Sequence, residues 1–275
     1  MVKIFVCYHK KDKVLNHSPY IPIQVGKSVA KEELDMMGDD TGDNISDRNP
    51  WYCELTAQYW IWKNIKDADY VGLCHYRRYL DLKPSFIKKF RDYIHENVDY
   101  VFHHSCDMEK IKKYDVILPK KILDPIPIRT QLALCHIAKD VDILEDIISE
   151  LYPDFIPDYN EVIKKGCCYS PCNIVIARKD IYFAYTKWLF DILFEFEKKL
   201  SVPMHPYQAR VMGFYSERLL NVYFHHFKDY KVGYCPMIVI DNSTNINLLY
   251  YKARKLIGYI SCRLYMIFRG NVDVK

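Results

Sequence analysis

The chain alternates between short runs of hydrophobic residues and longer segments in which hydrophobic residues recur at helical spacing. Residues 3–8 and 70–74 form short runs of hydrophobic residues, which are typical of strands buried on both faces. Between them, Asn49 is suited to cap a helix and Pro50 to begin it, so the pattern predicts a helix that ends near Asn64. A strand, a helix and a second strand in this order predict a parallel sheet with helices on its faces.

The same alternation continues through the second half of the chain. We predict strands over residues 115–118 and 173–177, and an edge strand over residues 232–235. The predicted helices lie near residues 84–96, 129–138, 141–151, 179–200 and 208–227. The sequence therefore predicts an α/β fold with a mostly parallel central sheet flanked by helices, formed by one domain over residues 1–245.

A separate segment, residues 246–275, follows this domain. Residues 248–269 contain five Lys and Arg residues and no acidic residue. As a helix, this segment would carry Leu249, Leu256 and Ile260 on one side and most of its cations elsewhere. A basic amphipathic helix can lie among lipid headgroups, which would place the protein at the inner face of the membrane. A terminal helix that packs on the domain is the equal alternative.

Charge and composition argue against several classes of protein. Lys and Arg number 39 and Asp and Glu 35, a net charge of +4, which is too balanced for a nucleic-acid coat protein. The chain has no run of about 18 hydrophobic residues and no signal-peptide pattern at its start, so we expect a cytoplasmic protein. The ten cysteines are scattered through hydrophobic runs, and we interpret most of them as reduced core residues. A zinc site that joins Cys168 and Cys172 with His103 and His104, or with His225 and His226, is an alternative with unusual spacing.

Polar clusters lie where ligands of an α/β sheet are expected. Residues 75–78, which include two arginines, come directly after the strand over residues 70–74. Ligands of open α/β sheets bind beyond the C-terminal ends of the strands. Arg suits a diphosphate because its planar group forms two charge-assisted hydrogen bonds, although arginines that are solvated or paired with carboxylates are the alternative. The chain lacks a glycine-rich phosphate-binding motif, which argues against Rossmann dehydrogenases and P-loop kinases.

Several motifs lie in residues 42–46 (GDNIS), 49–56 (NPWYCELT), 59–64 (YWIWKN) and 72–79 (GLCHYRRY). With these motifs, the chain resembles a family of bacterial capsular and exopolysaccharide biosynthesis proteins, long filed as a domain of unknown function and grouped with GT-A glycosyltransferases. The resemblance covers roughly residues 1–240. It implies a GT-A-like fold and the transfer of a sugar from a nucleotide-diphosphate donor to a growing glycan, which can be lipid-linked.

Many GT-A enzymes hold a divalent metal with an Asp-x-Asp motif, and this chain contains Asp67, Ala68 and Asp69. That triplet precedes the predicted strand over residues 70–74, so it should lie at the end of the sheet away from the ligand. We interpret it as a turn between a helix and a strand. Arginines after the strand could stabilise the leaving diphosphate instead of a metal ion, which favours an enzyme that needs no cofactor.

A carboxylate is needed to take the proton of the acceptor hydroxyl if transfer inverts the sugar. Glu217 is the first candidate because it interrupts a hydrophobic helical stripe, and an ion pair with Arg218 or Arg210 is its alternative role. Glu54 is a second candidate, although a glutamate in the first turn of a helix is more often there for the helix dipole. Asp43 is the third.

The donor is expected to contact the strand ends and the polar loop that precedes the first helix. Arg77 and Arg78 are assigned to the diphosphate, and Tyr8 to stacking on a sugar or a base. Asn173 resembles an Asn that contacts the donor sugar in some GT-A enzymes, and a turn residue is the alternative. The full set of predicted donor-binding residues is Tyr8, Asn44, Ser46, His75, Arg77, Arg78, Lys120 and Asn173.

Two other functions are compatible with this pattern. A glycan-binding or scaffold protein without activity would keep the aromatic residues and would not need either arginine. A nucleotidyltransferase that acts on sugar phosphates would share the sheet, but it would release pyrophosphate and require Mg²⁺. The scaffold protein would show no hydrolysis of a nucleotide sugar, which separates it from the transferase.

Overall fold

The computed structural model describes residues 1–85, 93–95, 98–200 and 208–240. Its strands are β1 (Val2–Tyr8), β2 (Tyr20–Gln24), β3 (Met37–Gly38), β4 (Tyr70–His75), β5 (Arg78–Leu80), β6 (Tyr93–His95), β7 (Val116–Pro119), β8 (Ile122–Leu123), β9 (Cys168–Tyr169), β10 (Val175–Arg178), β11 (Val232–Cys235) and β12 (Met237–Ile240). Its α-helices are α1 (Asn49–Tyr52), α2 (Leu55–Asn64), α3 (Val98–Ser105), α4 (Met108–Lys112), α5 (Ile128–Cys135), α6 (Ala138–Leu151), α7 (Ile156–Tyr159), α8 (Lys179–Lys199) and α9 (Val211–His226). The predicted tail, residues 246–275, lies outside the described residues.

A ten-stranded sheet forms the centre of the molecule. Its main path runs β11-β7-β10-β4-β1-β2-β3, and β5, β6 and β12 extend it on one side. β1 is parallel to both β2 and β4, whereas β10 runs antiparallel between β4 and β7. The predicted α/β fold with a mostly parallel sheet is confirmed. The direction of β10 was beyond the sequence pattern, because hydrophobic periodicity does not distinguish parallel from antiparallel neighbours.

Both faces of the sheet are buried, as the uninterrupted hydrophobic run of β1 predicts. Phe5 and Cys7 point to one face, where α2, α8 and α9 pack, and Ile4 and Val6 point to the other. β4 lies close to its neighbours at Gly72, where a Cβ atom would come within 2.9 Å of the side chain of Ile176. A larger residue at this position would therefore force the central strands apart.

Most predicted elements are confirmed, and two differ. The helix predicted from Asn49 to Asn64 is two helices, because Cys53 adopts φ 53° and ψ −128° and ends α1. The helix predicted near residues 84–96 is wrong at residues 93–95, which form β6 and pair with β12. There, pairing with a distant strand outweighs the local helical pattern. Residues 86–92 and 96–97 lie outside the described part.

Three further findings concern the expected class of protein. No helix among the described residues is long and apolar enough to cross a membrane. The nine cysteines described are all free thiols, and five of them are only partly buried or exposed. Within the described ranges, no group of three or more His, Cys, Asp or Glu side chains could hold a metal ion. His225 and His226, considered for zinc, instead hydrogen-bond the carboxylate of Asp158 at 2.7 and 2.8 Å.

Candidate active site

A cleft of about 670 Å³ opens at the C-terminal ends of β1, β2 and β4. β1 lies between β2 and β4, so the strands that follow β1 in the sequence are added on both of its sides. Such a switch in strand order creates the crevice in which ligands of open α/β sheets bind. Polar residues that line the cleft include His9, Asn49, Glu54, His75, Arg78 and Arg210.

Glu54 enters the cleft because the chain turns sharply just before it. The backbone of Cys53, with φ 53° and ψ −128°, separates α1 from α2 and leaves Glu54 directly before the first turn of α2. The residue is only 9% exposed. Its Oε1 accepts a hydrogen bond of 2.8 Å from Nδ2 of Asn173, and its Oε2 has no hydrogen-bond partner among the described residues. Glu54 is therefore a buried carboxylate with one oxygen held and the other available to a ligand.

The loop before β10 holds Asn173 in an unusual backbone conformation. Cys172 and Asn173 have φ values of 74° and 50°, and together with Cys53 they are the only non-glycine residues with positive φ in the described part of the chain. Nδ2 of Asn173 also donates a hydrogen bond of 3.2 Å to the carbonyl of Gly213. Two acceptors on the same nitrogen fix the orientation of the amide. Backbone strain of this kind persists where the surroundings demand it, and it is common at functional sites.

His75 secures the same loop from the end of β4. Its Nε2 lies 2.6 Å from the carbonyl oxygen of Cys172 and 3.9 Å from Oε1 of Glu54. A carbonyl only accepts, so Nε2 carries the hydrogen and donates it. Burial lowers the pKa of His75, although the charge of Glu54 opposes this shift. The imidazole is therefore neutral at pH 7, and its contact with Cys172 is an ordinary hydrogen bond.

The two adjacent arginines have different surroundings. Arg77 forms an ion pair with Asp12, whose Oδ2 lies 2.9 Å from Nε and 2.7 Å from Nη2. The alternative of pairing with a carboxylate thus applies to Arg77. Arg78 is exposed, lines the cleft and has no side-chain hydrogen-bond or ion-pair partner in the described ranges. Both arginines line the cleft, and Arg78 is the one whose guanidinium is not engaged by a carboxylate of the described residues.

Arg210 is a cleft residue that the sequence did not assign to donor binding. It directly precedes α9, and its Nε lies 3.2 Å from Sγ of Cys53. Burial and the charge of Glu54 raise the pKa of Cys53 to about 11, so the sulfur is a neutral thiol in this contact. In the sequence, Arg210 is marked only by its position in a predicted helix region. Its place in the cleft follows from the fold, which brings the start of α9 to the strand ends. Arg78 and Arg210 form the basic pair of the cleft.

Glu217 lies close to this cluster without lining the cleft. Its Oε2 is 2.7 Å from Nη1 of Arg218, which matches the ion pair considered from the sequence. Burial raises the pKa of Glu217, and the charge of Glu54 adds to this shift, whereas Arg218 opposes it. Arg218 also contacts the Tyr169 ring at 4.4 Å, so Glu217 belongs to a packed polar cluster behind the cleft.

The polar loop predicted to bind the donor instead builds its own structure. Oδ1 of Asp43 accepts a hydrogen bond of 3.1 Å from the Tyr59 hydroxyl, towards the far end of α2 from Glu54. Ser46 is buried and donates to Asp39 at 2.5 Å, and Asn44 accepts from the backbone of Ser46 at 3.1 Å. The structure does not bring Asp43, Asn44 or Ser46 to the cleft wall. Local hydrogen bonds occupy the side chains that the sequence analysis assigns to catalysis and to the donor.

Two further predicted donor contacts also lie elsewhere. Tyr8 is fully buried in the core, and its hydroxyl accepts a hydrogen bond of 2.9 Å from the backbone of Leu15. A ring with no exposed surface cannot stack on a sugar, so the stacking role of Tyr8 is corrected. Lys120 follows β7 and its backbone pairs with Cys235, away from the cleft lining. Tyr76, which is not among the predicted donor contacts, lines the cleft instead.

The Asp67–Asp69 triplet lies at the opposite end of β4. Asp67 pairs with Lys3 at 2.7 Å, and Asp69 pairs with the amino group of Met1. Both carboxylates are exposed and face away from the cleft, which opens where β4 ends. The interpretation of this triplet as a turn between helix and strand is confirmed.

Comparison with protein families places this arrangement among known relatives. A family described as Domain of unknown function (DUF4422) matches residues 3–229. The chain belongs to the DUF4422 family. Comparison with curated proteins gives no significant match.

One solved structure resembles this DUF4422 chain over most of its length. The apo structure of WbbM, a bifunctional glycosyltransferase, superposes with a TM-score of 0.76 at 30% sequence identity. The match covers 88% of this chain and 46% of WbbM, so the chain spans less than half of that protein. This similarity supports the glycosyltransferase-like α/β fold that the sequence resemblance implied.

Proposed function

We propose that the chain is a glycosyltransferase that moves a sugar from a nucleotide-diphosphate donor to a glycan acceptor. The observation that carries the proposal is the basic pair Arg78 and Arg210 in a cleft at the strand ends. The likeness to WbbM, a glycosyltransferase, supports it. Fold similarity alone does not fix a function, so the cleft residues must account for the chemistry.

Arg78 and Arg210 suit the diphosphate of such a donor. When the bond between the sugar and the diphosphate breaks, negative charge grows on the leaving group. Guanidinium groups placed beforehand at that position stabilise this charge without any rearrangement. Charge-assisted hydrogen bonds to phosphate oxygens are also stronger than neutral ones. The same groups therefore serve both binding and the transfer step, and the proposal assigns them the role that a divalent ion has in many GT-A enzymes.

The acceptor is proposed from the sequence resemblance. Capsular or exopolysaccharide glycans, built on a lipid carrier at the inner face of the membrane, fit the family that the motifs resemble. The basic segment over residues 248–269 would suit such a location, and it lies outside the described residues. A cytoplasmic protein that contacts the membrane peripherally is therefore part of the proposal.

The donor-binding part is tested with nucleoside diphosphates. A panel of UDP, GDP, ADP and CDP, with the matching sugar nucleotides, is screened by thermal shift, and the best ligand is then measured by calorimetry. We expect Arg78→Ala and Arg210→Ala each to weaken binding by about tenfold or more, the loss typical of a charge-assisted hydrogen bond. Arg129→Ala, which removes a surface pair with Asp142, is the control and should leave affinity unchanged.

Arg77→Ala sharpens the test, because Arg77 is already engaged by Asp12 and should contribute less to donor affinity than Arg78.

Product formation in EDTA, and then with added Mn²⁺ or Mg²⁺, tests the metal-independent assignment. Unchanged affinity in both the Arg78 and the Arg210 variants would remove the basic pair from the donor site. Failure of every nucleoside diphosphate to bind the natural chain would overturn the proposed function.

A further inference from the structure

We propose that Glu54 is the proton acceptor of the transfer and that Asn173 and His75 are positioning residues that hold it. The inference rests on the proposed function, since it assigns a step of that reaction. It replaces Glu217 as the first candidate for this role.

The first argument is the state of the two carboxylate oxygens of Glu54. Oε1 is held by Nδ2 of Asn173 at 2.8 Å, which fixes the orientation of the carboxylate. Oε2 has no hydrogen-bond partner in the part of the chain that the structure describes. Glu54 is 9% exposed and lines the cleft, so this second oxygen is available to a bound hydroxyl. A proton acceptor needs this combination of a fixed direction and a vacant lone pair.

The second argument is the backbone on both sides of Glu54. The chain adopts positive φ at Cys53, directly before Glu54, and at Cys172 and Asn173, the loop that holds it. Each such non-glycine conformation costs on the order of 1 to 3 kcal/mol of free energy and persists only where the surroundings enforce it. Two of the three such residues of the described chain therefore adjoin or bind Glu54, and the third, Cys172, is the residue that His75 contacts. This concentration is what a pre-organised site would produce.

The third argument is the contact through which His75 acts. Nε2 of His75 lies 3.9 Å from Oε1 of Glu54, which is too long for a hydrogen bond. Its hydrogen bond of 2.6 Å goes to the carbonyl of Cys172, the residue before Asn173. His75 therefore holds the loop that presents Asn173, and Asn173 holds Glu54.

Glu217 differs from Glu54 in its ion pair and in its place relative to the cleft. Its carboxylate is engaged by the guanidinium of Arg218 at 2.7 Å, and it does not line the cleft. An acceptor hydroxyl in the cleft would reach Glu54 before it reached Glu217. Glu217 belongs instead to the packed cluster of Arg218 and Tyr169.

The proposed step balances as a direct displacement. The acceptor hydroxyl gives its proton to Oε2 of Glu54 while its oxygen forms a bond to the anomeric carbon of the donor sugar. The bond between that carbon and the diphosphate oxygen breaks, and its electron pair leaves with the nucleoside diphosphate. Arg78 and Arg210 stabilise the negative charge that this group then carries. No oxidant, reductant or other reactant is needed.

The test compares Glu54→Gln with Glu217→Gln. Release of nucleoside diphosphate is measured from the sugar nucleotide that stabilises the natural chain best in the thermal screen, and calorimetry gives the affinity of each variant for the nucleoside diphosphate alone. Glu54→Gln should lower turnover by about 100-fold or more, the range for loss of a general base, with affinity kept within about threefold. Glu217→Gln should keep turnover within about tenfold of the natural chain.

Asn173→Asp tests the positioning role separately, because Asp also tolerates positive φ but puts a carboxylate oxygen where an N–H donor stood. Two carboxylates that share a site raise the pKa of one of them. The acidic limb of the pH profile of kcat/KM should therefore move upward by about one pH unit or more. A purely structural role for Asn173 would lower stability and leave this limb in place.

Each outcome decides the inference. Turnover of Glu54→Gln within tenfold of the natural chain, with donor affinity retained, would overturn it and leave the proposed function standing. An equal loss in Glu217→Gln would return the role to Glu217. If Glu54→Gln does not fold, the pH profile of Asn173→Asp decides in its place. Absence of donor binding or of nucleoside-diphosphate release by the natural chain overturns the proposed function itself.

Discussion

The two ends of β4 carry acidic residues in opposite circumstances. At the N-terminal end, Asp67 and Asp69 are exposed and paired with Lys3 and with the amino terminus. At the C-terminal end, Glu54 is buried beside His75, and one of its oxygens has no hydrogen-bond partner among the residues that the structure describes. Asp67 and Asp69 form a motif that suggests a metal site, whereas Glu54 belongs to no metal-binding motif. In this molecule, burial and an unused oxygen make Glu54 the candidate, and exposed ion pairs argue against the two aspartates.

Of the substitutions at the two ends of β4, His75→Ala should cost the most stability. The substitution removes the hydrogen bond to Cys172, leaves that carbonyl without its partner and opens a small cavity beside Glu54. We expect a loss of about 2 kcal/mol or more in the free energy of unfolding, measured by urea denaturation. Asp69→Asn at the other end removes only an exposed ion pair, so it should lower the free energy of unfolding at pH 7 by a much smaller amount. Similar losses in the two variants would contradict the comparison.

The sequence predicted the scaffold of the site better than its interior. β1, β4 and α8 follow from hydrophobic runs and helical spacing, because burial against the sheet sets both patterns. The turn at Cys53 did not follow, since neither Gly nor Pro marks it and a cysteine rarely adopts φ 53°. Asn173 was recognised as a turn or sugar-contacting residue, but its bond to Glu54 joins positions 119 residues apart.

The arginines illustrate the same limit. Arg77 and Arg78 are neighbours in sequence with the same chemistry, and only the position of Asp12 in the folded chain separates their roles. Arg210 reaches the cleft because α9 begins beside Cys53. Contacts between distant segments decide which of several suitable side chains is used, and a single sequence does not contain those contacts explicitly.

Cys53→Gly should sharpen the comparison by releasing strain at the cleft end alone. Glycine adopts the backbone conformation of Cys53 without the steric cost, although it loses more conformational entropy on folding. We expect a net gain of up to about 1 kcal/mol in the free energy of unfolding. Cys53→Ala is the matched control: it removes the thiol and keeps the Cβ atom that causes the strain. A gain of the same size in both variants would assign the effect to the thiol and not to the backbone.

The smallest effect is expected in the pH dependence of stability. The contributions of Glu217, near the cleft, and of Asp69, at the other end of β4, should change with pH in opposite directions. Burial raises the pKa of Glu217 above its ordinary value of 4.5, so the folded chain binds this proton more readily than the unfolded chain. Its contribution to stability is therefore present below pH 4.5 and is lost as the pH rises through the raised pKa. The hydrogen bond from the amino terminus lowers the pKa of Asp69 below 3.8, so its contribution is present above pH 3.8 and is lost as the pH falls through the lowered pKa.

Thermal unfolding of the natural chain, Glu217→Gln and Asp69→Asn between about pH 3 and 7 checks these signs. Relative to Glu217→Gln, the natural chain should gain stability as the pH falls from neutral, because only the natural chain takes up the proton there. Relative to Asp69→Asn, it should lose stability at the acidic end, by a smaller amount because that pair is exposed to solvent. Differences of the same sign in both comparisons would show that the buried carboxylate near the cleft and the exposed one at the far end of β4 are not held in opposite ways.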